Sequence, residues 1–353
     1  MKSHTGTPAT WGSRLRRTAV VALACMTLVV AATGCGSSNS SGSPGSSGAG
    51  QSFSLRLSSD VPATSAAGLA AAYFAKQVDE LTKGKVKIQV FPLSQLGSEA
   101  TVLAGIQTGS IDFADLYSGS VTGQLPKLGL FSLPFLIRNE AGAQALFNSP
   151  TTATILDSLS QKGVKGLYVA SNGPFELLTK KMISTPADLA GLKLRVNTDP
   201  ISTAMLKALN ATAVPLPSLQ VYSALQQDVV SGAISAPAGF VSLKWFEVAK
   251  QLTQIEPQWD AQAMVMSSTT ANRLPKDYQD AITKAGKATL DYNKQTVDKA
   301  TQEQLTLLKQ GGVQFSTPDK APFRDLVKPL YSQFADGIGA DVIAQANMIE
   351  QSY

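Results

Sequence analysis

Alternating strand and helix patterns recur along most of the chain, and they constrain its fold more than any other feature. Apolar and polar residues alternate over residues 53–57 and 86–90, which is typical of half-buried strands. Between them, apolar residues recur at helical spacing over residues 69–81. A further helical pattern and a short strand candidate over residues 111–116 follow. This order predicts an α/β fold.

A second block with the same pattern follows later in the sequence. Residues 164–170 form a strand candidate, and Leu192, Leu194 and Val196 mark one face of another strand. Residues 276–310 are polar, rich in alanine and nearly free of glycine and proline, which predicts one or two long helices. We therefore expect two α/β blocks followed by long helices, and 353 residues suffice for two domains.

The N-terminus has the pattern of a secretory signal. Arg14, Arg16 and Arg17 precede a nearly continuous apolar run over residues 19–32. The run is shorter than the roughly 20 apolar residues that a membrane-spanning helix needs. We therefore interpret residues 1–34 as a signal peptide.

Cys35 follows this segment in the sequence Ala-Thr-Gly-Cys. The sequence resembles the bacterial lipobox, in which the cysteine after the cleavage site is lipidated, although Ala32 stands where leucine is usual. Residues 36–50 consist of Gly, Ser, Asn, Pro and Ala, a composition typical of a flexible tether. Residues 35–52 are thus predicted to hold a globular, extracytoplasmic protein on the outer face of the cell membrane. The alternative is an ordinary signal followed by an incidental cysteine.

The charge distribution argues against a nucleic-acid-binding surface. The whole chain has a net charge of +5, but residues 1–34 contain four basic residues and no acidic one. Without them, 26 basic and 25 acidic residues remain. The basic character therefore belongs to the N-terminus, and no nucleic-acid partner is expected.

Few residues remain that could support catalysis or bind a metal. The single histidine is His4 and the two cysteines are Cys25 and Cys35, so a mature chain would hold no histidine and one cysteine. This composition excludes a Ser-His-Asp triad, a Cys-His pair, a His-ligated metal and an internal disulfide. A phosphate-binding loop and a dinucleotide fingerprint are both lacking. We expect no cofactor, no metal, and binding rather than catalysis.

Seven short segments occur in an order that points to one family. They are FPLSQLGSE at residues 91–99, TGSID at 108–112, LFSLPFL at 130–136, TPADLAGLKLRV at 185–196, VYSALQQ at 221–227, FEVAK at 246–250 and Pro-Phe at 322–323. Together they resemble the solute-binding subunit of tripartite ATP-independent periplasmic (TRAP) transporters, the DctP family. The resemblance covers roughly residues 53–335.

The resemblance implies a two-domain periplasmic-binding-protein-like fold with a ligand cleft between the domains and long C-terminal helices. In this family the chain crosses between the domains more than once, and one long helix runs along both. We accordingly expect domain one over residues 53–172 plus 261–300, and domain two over residues 173–260 plus 301–345.

Arg195 is the foremost candidate for a ligand-binding residue. The apolar alternation places it at the C-terminal end of a strand, where open α/β sheets bind ligands. Its guanidinium presents a planar fork that matches a carboxylate. By resemblance, the arginine at this motif position binds the carboxylate of the substrate. The alternative is a solvated arginine on the polar face of the strand.

Four further residues are candidates for ligand contacts. Many family members carry a second arginine after an Asn-Gly pair, but here Asn172 and the next two residues are followed by Phe175. A second cation is therefore not expected, and Phe175 either lines an apolar side of the cleft or belongs to the core. Ser235 stands where the family often has asparagine and could give one hydrogen bond. Asp60, after the first strand, could accept a hydroxyl or an amine of the ligand, or cap the next helix.

The remaining candidates follow from the predicted crossovers and strand ends. By resemblance, Trp259, Asp260 and Gln262 fall near the cleft, where the chain returns to domain one. Trp259 either offers a flat surface to an apolar or ring-bearing ligand, or packs in the hinge. Tyr117 and Ser118 end the third strand and are expected to face the cleft.

We interpret the chain as a lipid-anchored receptor for a small organic acid. By resemblance, it closes two domains around the solute and delivers it, as a monomer, to integral membrane TRAP permease subunits. A single guanidinium beside Phe175 and Trp259 favours a monocarboxylate with an apolar or aromatic body. The alternatives are a receptor of an ABC importer or a sensor, and a secreted lipoprotein hydrolase, for which no pair of converging acids is recognisable.

Overall fold

The computed structural model describes residues 51–353, whose strands form two separate sheets. In chain order the strands are β1 (Phe53–Ser59), β2 (Val86–Phe91), β3 (Phe113–Tyr117), β4 (Val164–Pro174), β5 (Glu176–Thr179), β6 (Lys193–Val196), β7 (Thr212–Pro215), β8 (Gly232–Ser235), β9 (Gln251–Thr253), β10 (Trp259–Ser267) and β11 (Gln314–Ser316). The first sheet has the order β2-β1-β3-β10-β4, and the second has the order β11-β9-β5-β8-β6-β7.

Both sheets combine parallel and antiparallel pairs. In the first sheet, β1 pairs in parallel with β2 and β3, whereas β10 is antiparallel to β3 and β4. In the second sheet, β6 pairs in parallel with β7 and β8, whereas β5 is antiparallel to β8 and β9. Each sheet is the centre of one domain, so the predicted two-domain α/β architecture is confirmed.

Helices connect and cover the strands. They are α1 (Ala66–Leu81), α2 (Glu99–Thr108), α3 (Glu140–Phe147), α4 (Pro150–Ser158), α5 (Pro200–Ala208), α6 (Val221–Gln226), α7 (Pro237–Ser242), α8 (Ser268–Arg273), α9 (Lys276–Gln310), α10 (Ala321–Val327), α11 (Pro329–Ile338) and α12 (Ala340–Glu350). Three helices that follow cleft-side loops begin at side-chain caps, because Ser65, Ser98 and Asp199 accept backbone N–H groups of α1, α2 and α5.

The long helix α9 belongs to the cores of both domains. Near its start, Tyr278 and Ile282 are buried with residues of the first sheet such as Leu57. Near its end, Leu305 and Leu308 are buried with second-sheet residues. The polar, alanine-rich segment therefore forms one helix of 35 residues that runs along both domains.

The last two helices contact both domains, and their C-terminal part packs against the first. Ile338, Ile343 and Ala346 are buried in one apolar cluster with Phe147 of α3. The bounds of domain two, with residues 301–345 in it, stay a prediction, and at their C-terminal end Ile338 and Ile343 are buried in the first-domain cluster. The end of α11 and the apolar face of α12 cover first-domain residues, a contact that local sequence does not specify, whereas Leu330 near the start of α11 is buried in the second-domain core.

The part of the chain that the structure describes has no helix long and apolar enough to cross a membrane. The predicted signal peptide (residues 1–34) and Cys35, with the tether up to residue 50, lie outside the described residues.

Candidate functional site

A cavity of about 410 Å³ lies between the two domains. The first domain contributes loops that follow β1, β2 and β3, and the second contributes residues at and after the ends of β6 and β7. The lining residues are Asp60, Leu93, Ser94, Gly97, Ser98, Glu99, Ala100, Ser120, Arg195, Asn197, Thr198, Leu216, Pro217, Ser218 and Leu219. This volume is typical of small-molecule sites, and α/β sheets commonly bind ligands at the carboxyl ends of their strands.

Arg195 projects from β6 into the wall of this cavity and is only 1% exposed. Its Nε donates to the carbonyl oxygen of Leu216 at 2.9 Å, and its Nη2 donates to Ser218 Oγ at 3.1 Å. Its Nη1 donates to the carbonyl oxygen of Ile234 at 3.4 Å. A guanidinium has five N–H donors, so two of them have no partner among the described residues. The burial also excludes the alternative of a solvated arginine.

The charge of Arg195 is not balanced by an ion pair with any described residue. Burial lowers its pKa to about 10, and the carboxylates of Asp60 and Glu99 partly oppose that shift. The guanidinium therefore stays protonated at neutral pH. Its Cζ lies 5.2 Å from the ring centroid of Trp245, a favourable position for a cation. A buried cation whose counterion the protein does not supply is suited to bind an anion.

Two carboxyl groups line the first-domain side of the same cavity. Asp60 follows β1, and its Oδ1 is buried without a hydrogen-bond partner among the described residues. Burial, followed by the carboxylates of Glu99, Asp260 and Asp115, raises the pKa of Asp60 well above its usual range. Glu99 begins α2, and its Oε1 accepts the N–H of Tyr117 at 2.7 Å. Burial raises the pKa of Glu99 to about 7.

A smaller cavity of about 30 Å³ adjoins the first and shares Asp60 with it. Asn172, Phe175, Ser235 and Asp260 are among its lining residues. Asn172 Nδ2 donates to Asp260 Oδ2 at 2.8 Å, and burial raises the pKa of Asp260 to about 6. Phe175 is 2% exposed and belongs to the second-domain core as well as to this lining. The structure thus brings six predicted residues, with Arg195 among them, around two adjoining cavities.

Tyr117, Ser118 and Gln262 are fully buried and do not line these two cavities. β3 and β10 pair directly, and Tyr117 is opposite Gln262 in that register, which encloses both side chains. Gln262 Nε2 donates to Asp260 Oδ1 at 2.7 Å. These residues therefore lie beneath the site. Tyr117 and Ser118 were expected to face the cleft from their position at a strand end, and Gln262 from the crossover.

Tyr117 also connects the two domains. Its hydroxyl donates to Asp199 Oδ2 at 2.9 Å, and Asp199 caps α5 of the second domain by accepting the N–H of Ile201 at 2.8 Å. A Cβ at Gly119 would overlap the Asp199 carboxylate, so this close approach requires glycine. The contact fixes the first turn of α5, which follows the Arg195 strand.

Trp259 does not reach the cavity that Arg195 lines. Its indole N–H lies 3.2 Å from both Glu140 Oε2 and Ser171 Oγ. It lines a separate cavity of about 170 Å³, together with Glu140 and Glu176. The first residue of β10 stands at the crossover between domains, and its hydrogen bonds hold the ring there. Of the two expectations for Trp259, this position matches packing in the hinge.

Sequence reasoning did not select Glu99, Asn197 or Ser218 as lining residues. All three lie in connections that follow strands of the two sheets, β2, β6 and β7. These three residues could have been identified from the rule that connections after parallel strands converge at the carboxyl ends of those strands. β7 has only four residues, so its end did not stand out in the sequence. Within residues 51–353, no group of three or more His, Cys, Asp or Glu residues is placed to hold a metal ion.

Two α/β domains that enclose a cavity, with a buried and unpaired cation in its wall, define a two-domain solute-binding protein. The chain belongs to the bacterial extracellular solute-binding protein family 7 (DctP), whose family model matches residues 57–337. This membership confirms solute binding over the hydrolase alternative.

Individual relatives agree with the family assignment. The chain is 30% identical over 300 residues to the 2,3-diketo-L-gulonate-binding periplasmic protein of Escherichia coli K12, covering 84% of this chain and 90% of that protein. It resembles the crystal structure of a TRAP periplasmic solute-binding protein from Xanthobacter autotrophicus with bound β-D-galacturonate (28% identity, TM-score 0.79, 83% and 99% of the two chains). It also resembles such a protein from Sulfurospirillum deleyianum with bound succinate (28% identity, TM-score 0.79, 85% and 99%).

Proposed function

We propose that this protein captures a small organic acid outside the cell membrane and delivers it to TRAP-type permease subunits. The observation that carries the proposal is Arg195, a buried cation that lines the interdomain cavity without an ion-pair partner among the described residues. The galacturonate and succinate bound by the two similar structures are carboxylates, which is consistent with an anionic ligand.

In this proposal the carboxylate binds to the two N–H groups of Arg195 that are free. Charge-assisted hydrogen bonds of this kind are about twice as strong as neutral ones, and the fork of the guanidinium fixes the direction of the ligand. Asn197 and Ser218 lie on the same side of the cavity and can add polar contacts. A ligand held from both domains favours the closed arrangement, because it contacts both walls only when they are close.

The solute that we propose is small and has an aliphatic body. The apolar part of the lining consists of aliphatic side chains, among them Leu93, Leu216 and Leu219. Trp259 lies at a different cavity, so the aromatic surface that would favour a ring-bearing ligand is not part of this lining.

We further propose that residues 1–34 are removed, that Cys35 is lipidated, and that residues 36–52 tether a monomer to the outer face of the membrane. The sequence pattern of a short apolar run, a cysteine and a Gly/Ser segment supports this anchor. Integral membrane permease subunits are the partners that the family membership implies. The domains would move as two bodies, near 53–172 plus 261–300 and near 173–260 plus 301–345, except that α12, which packs on α3, would follow the first.

A thermal-shift screen of organic acids on the purified protein tests the ligand class. A ligand that binds only the folded state, at a concentration 100 times its Kd, stabilises it by about 2.7 kcal/mol. We expect at least one small carboxylic acid to raise the melting temperature, and the corresponding amide or alcohol to have no effect. A melting temperature raised by neutral sugars or amines, and by no acid, would contradict the proposal.

A further inference from the structure

We propose that the solute carries an ammonium group in addition to its carboxylate, and that Asp60 binds this ammonium on the wall that faces Arg195. The solute would then be a small zwitterion of the amino-acid type. This inference rests on the carboxylate site proposed above and adds the second half of the ligand.

The first observation is that a basic and an acidic side chain, Arg195 and Asp60, line one cavity without forming an ion pair. Arg195 lies at the end of β6 in the second domain, and Asp60 follows β1 in the first domain. No nitrogen of Arg195 lies within 4.0 Å of an Asp60 oxygen, the limit for an ion pair. Neither Arg195 nor Asp60 therefore has a counterion of its own among the described residues. A molecule with a carboxylate at one end and an ammonium at the other compensates both charges at once.

The second observation separates Asp60 from the other acidic side chains nearby. Glu99 already accepts the N–H of Tyr117, and Asp260 accepts hydrogen bonds from Asn172 and Gln262. Oδ1 of Asp60, in contrast, is buried and has no partner among the described residues. In its ionised form this carboxylate can only accept hydrogen bonds, so a partner that keeps Asp60 ionised has to be a donor.

The surrounding charge favours an ammonium over a neutral donor or a second carboxylate. Glu99, Asp115 and Asp260 all act on Asp60 and, together with burial, raise its pKa. A cation beside Asp60 opposes both effects, whereas a hydroxyl supplies one donor and no charge. A second carboxylate of the ligand would raise the pKa values of these acidic groups further, so the same groups disfavour a dicarboxylate.

The test is a calorimetric titration of the purified protein with a matched panel of solutes. The panel contains aliphatic α-, β- and γ-amino acids, each with the hydroxy acid and the unsubstituted carboxylic acid of the same carbon skeleton. We expect the best amino acid to bind at least about tenfold more tightly than its two analogues, the gain typical of a hydrogen bond to a charged group.

The variant Asp60→Asn keeps the shape of the side chain and removes its charge. We expect it to weaken amino-acid binding about tenfold or more and to leave hydroxy-acid binding nearly unchanged. Asp291→Asn is the matched control, because Asp291 is exposed on α9 away from the cavity and its replacement changes the net charge equally. It should leave all affinities unchanged.

Equal or tighter binding of the hydroxy or unsubstituted acids overturns this inference, as does an unchanged amino-acid affinity in Asp60→Asn. Neither result affects the proposed carboxylate site, since Arg195→Ala in the same titrations reports on that site alone. If no carboxylate of the panel binds, this inference is overturned, and the proposed function is then decided by the thermal-shift screen of organic acids.

Discussion

A hydrogen bond between two buried polar side chains connects the two domains beneath the cleft. Tyr117 of the first domain donates to Asp199 of the second. Asp199 also accepts the N–H of Ile201 at 2.8 Å and the hydroxyl of Ser202 at 2.6 Å. The aspartate therefore keeps partners when Tyr117 is changed, which makes this interdomain hydrogen bond accessible to a clean substitution.

We predict that Tyr117→Phe lowers the free energy of unfolding by about 1–3 kcal/mol, because the buried hydrogen bonds to Asp199 and from Ser132 are lost while the ring packing is kept. Urea denaturation measures the change. Tyr222→Phe is the control, because its hydroxyl contacts Glu247 at 3.2 Å at the surface and should matter little. Equal losses of unfolding free energy in both variants would mean that the interdomain contact stabilises the protein no more than the surface contact of Tyr222 does.

A buried carboxyl group should make the stability of the protein depend on pH. Asp115 is 2% exposed and accepts the hydroxyl of Ser59 at 3.1 Å. Burial, with the nearby carboxylates of Asp260 and Glu99, raises its pKa from 3.8 to about 8. Between these two values the folded state holds a proton that the unfolded state has released, so the contribution of Asp115 to stability falls as pH rises through this window.

We predict that Asp115→Asn reduces the loss of stability between pH 5 and pH 9. Asparagine keeps the shape and a polar contact to Ser59, and it has no charge to bury at high pH. Urea midpoints of the wild type and the variant at both pH values measure this difference. A loss of stability between the two pH values that is as large in the variant as in the wild type would show that Asp115 is not the group responsible.

At the scale of elements, α9 is the part of the fold that depends most on both domains. Its length follows from the sequence, because residues 276–310 lack strong helix breakers apart from Gly286. The local pattern does not reveal that Ile282 packs in one core and Leu308 in the other. That distribution depends on where the two sheets lie, which is a tertiary property.

Adjacent leucines near the end of α9 test this packing. We predict that Leu308→Ala costs about 2–5 kcal/mol of unfolding free energy, because the side chain is fully buried and its removal leaves a cavity. Leu307→Ala, at a residue that is 46% exposed, should cost much less. Chemical denaturation of both variants gives the comparison. Similar costs at the two positions would contradict the packing of this helix.

A site residue could be predicted from the sequence when its position depends only on the strand that carries it. Arg195 follows from the alternation in β6 and from the family motif. Tyr117 and Trp259 could not be placed in the same way, because β10 inserts between β3 and β4, strands that are remote from it in sequence. This insertion buries Tyr117 and holds Trp259 on the far side of the crossover. Glu99 was inside a recognised motif, but its position in the cavity depends on the fold of the loop after β2.

At the scale of the whole molecule, the proposed lipid anchor determines where the receptor works. Residues 51–353 contain no helix that could cross a membrane, and the chain after residue 34 is nearly neutral. A lipid on Cys35 would then be the main attachment. We predict that Cys35→Ser moves the protein from the membrane fraction to the soluble fraction of salt-washed cell extracts. A variant that still sediments with membranes would contradict the proposed anchor.

The affinity of Arg195 variants for an organic acid found in the screen tests the proposed function most directly. Arg195 also binds Leu216, Ser218 and Ile234, so each variant is titrated well below its own melting temperature. Arg195→Ala should weaken binding by about 2–5 kcal/mol, or roughly 30-fold to several thousand-fold. Arg195→Lys keeps the charge but loses the fork, and should weaken binding less. A folded Arg195→Ala variant that binds the acid within about threefold of the wild type, a change of under 1 kcal/mol, would contradict the carboxylate site.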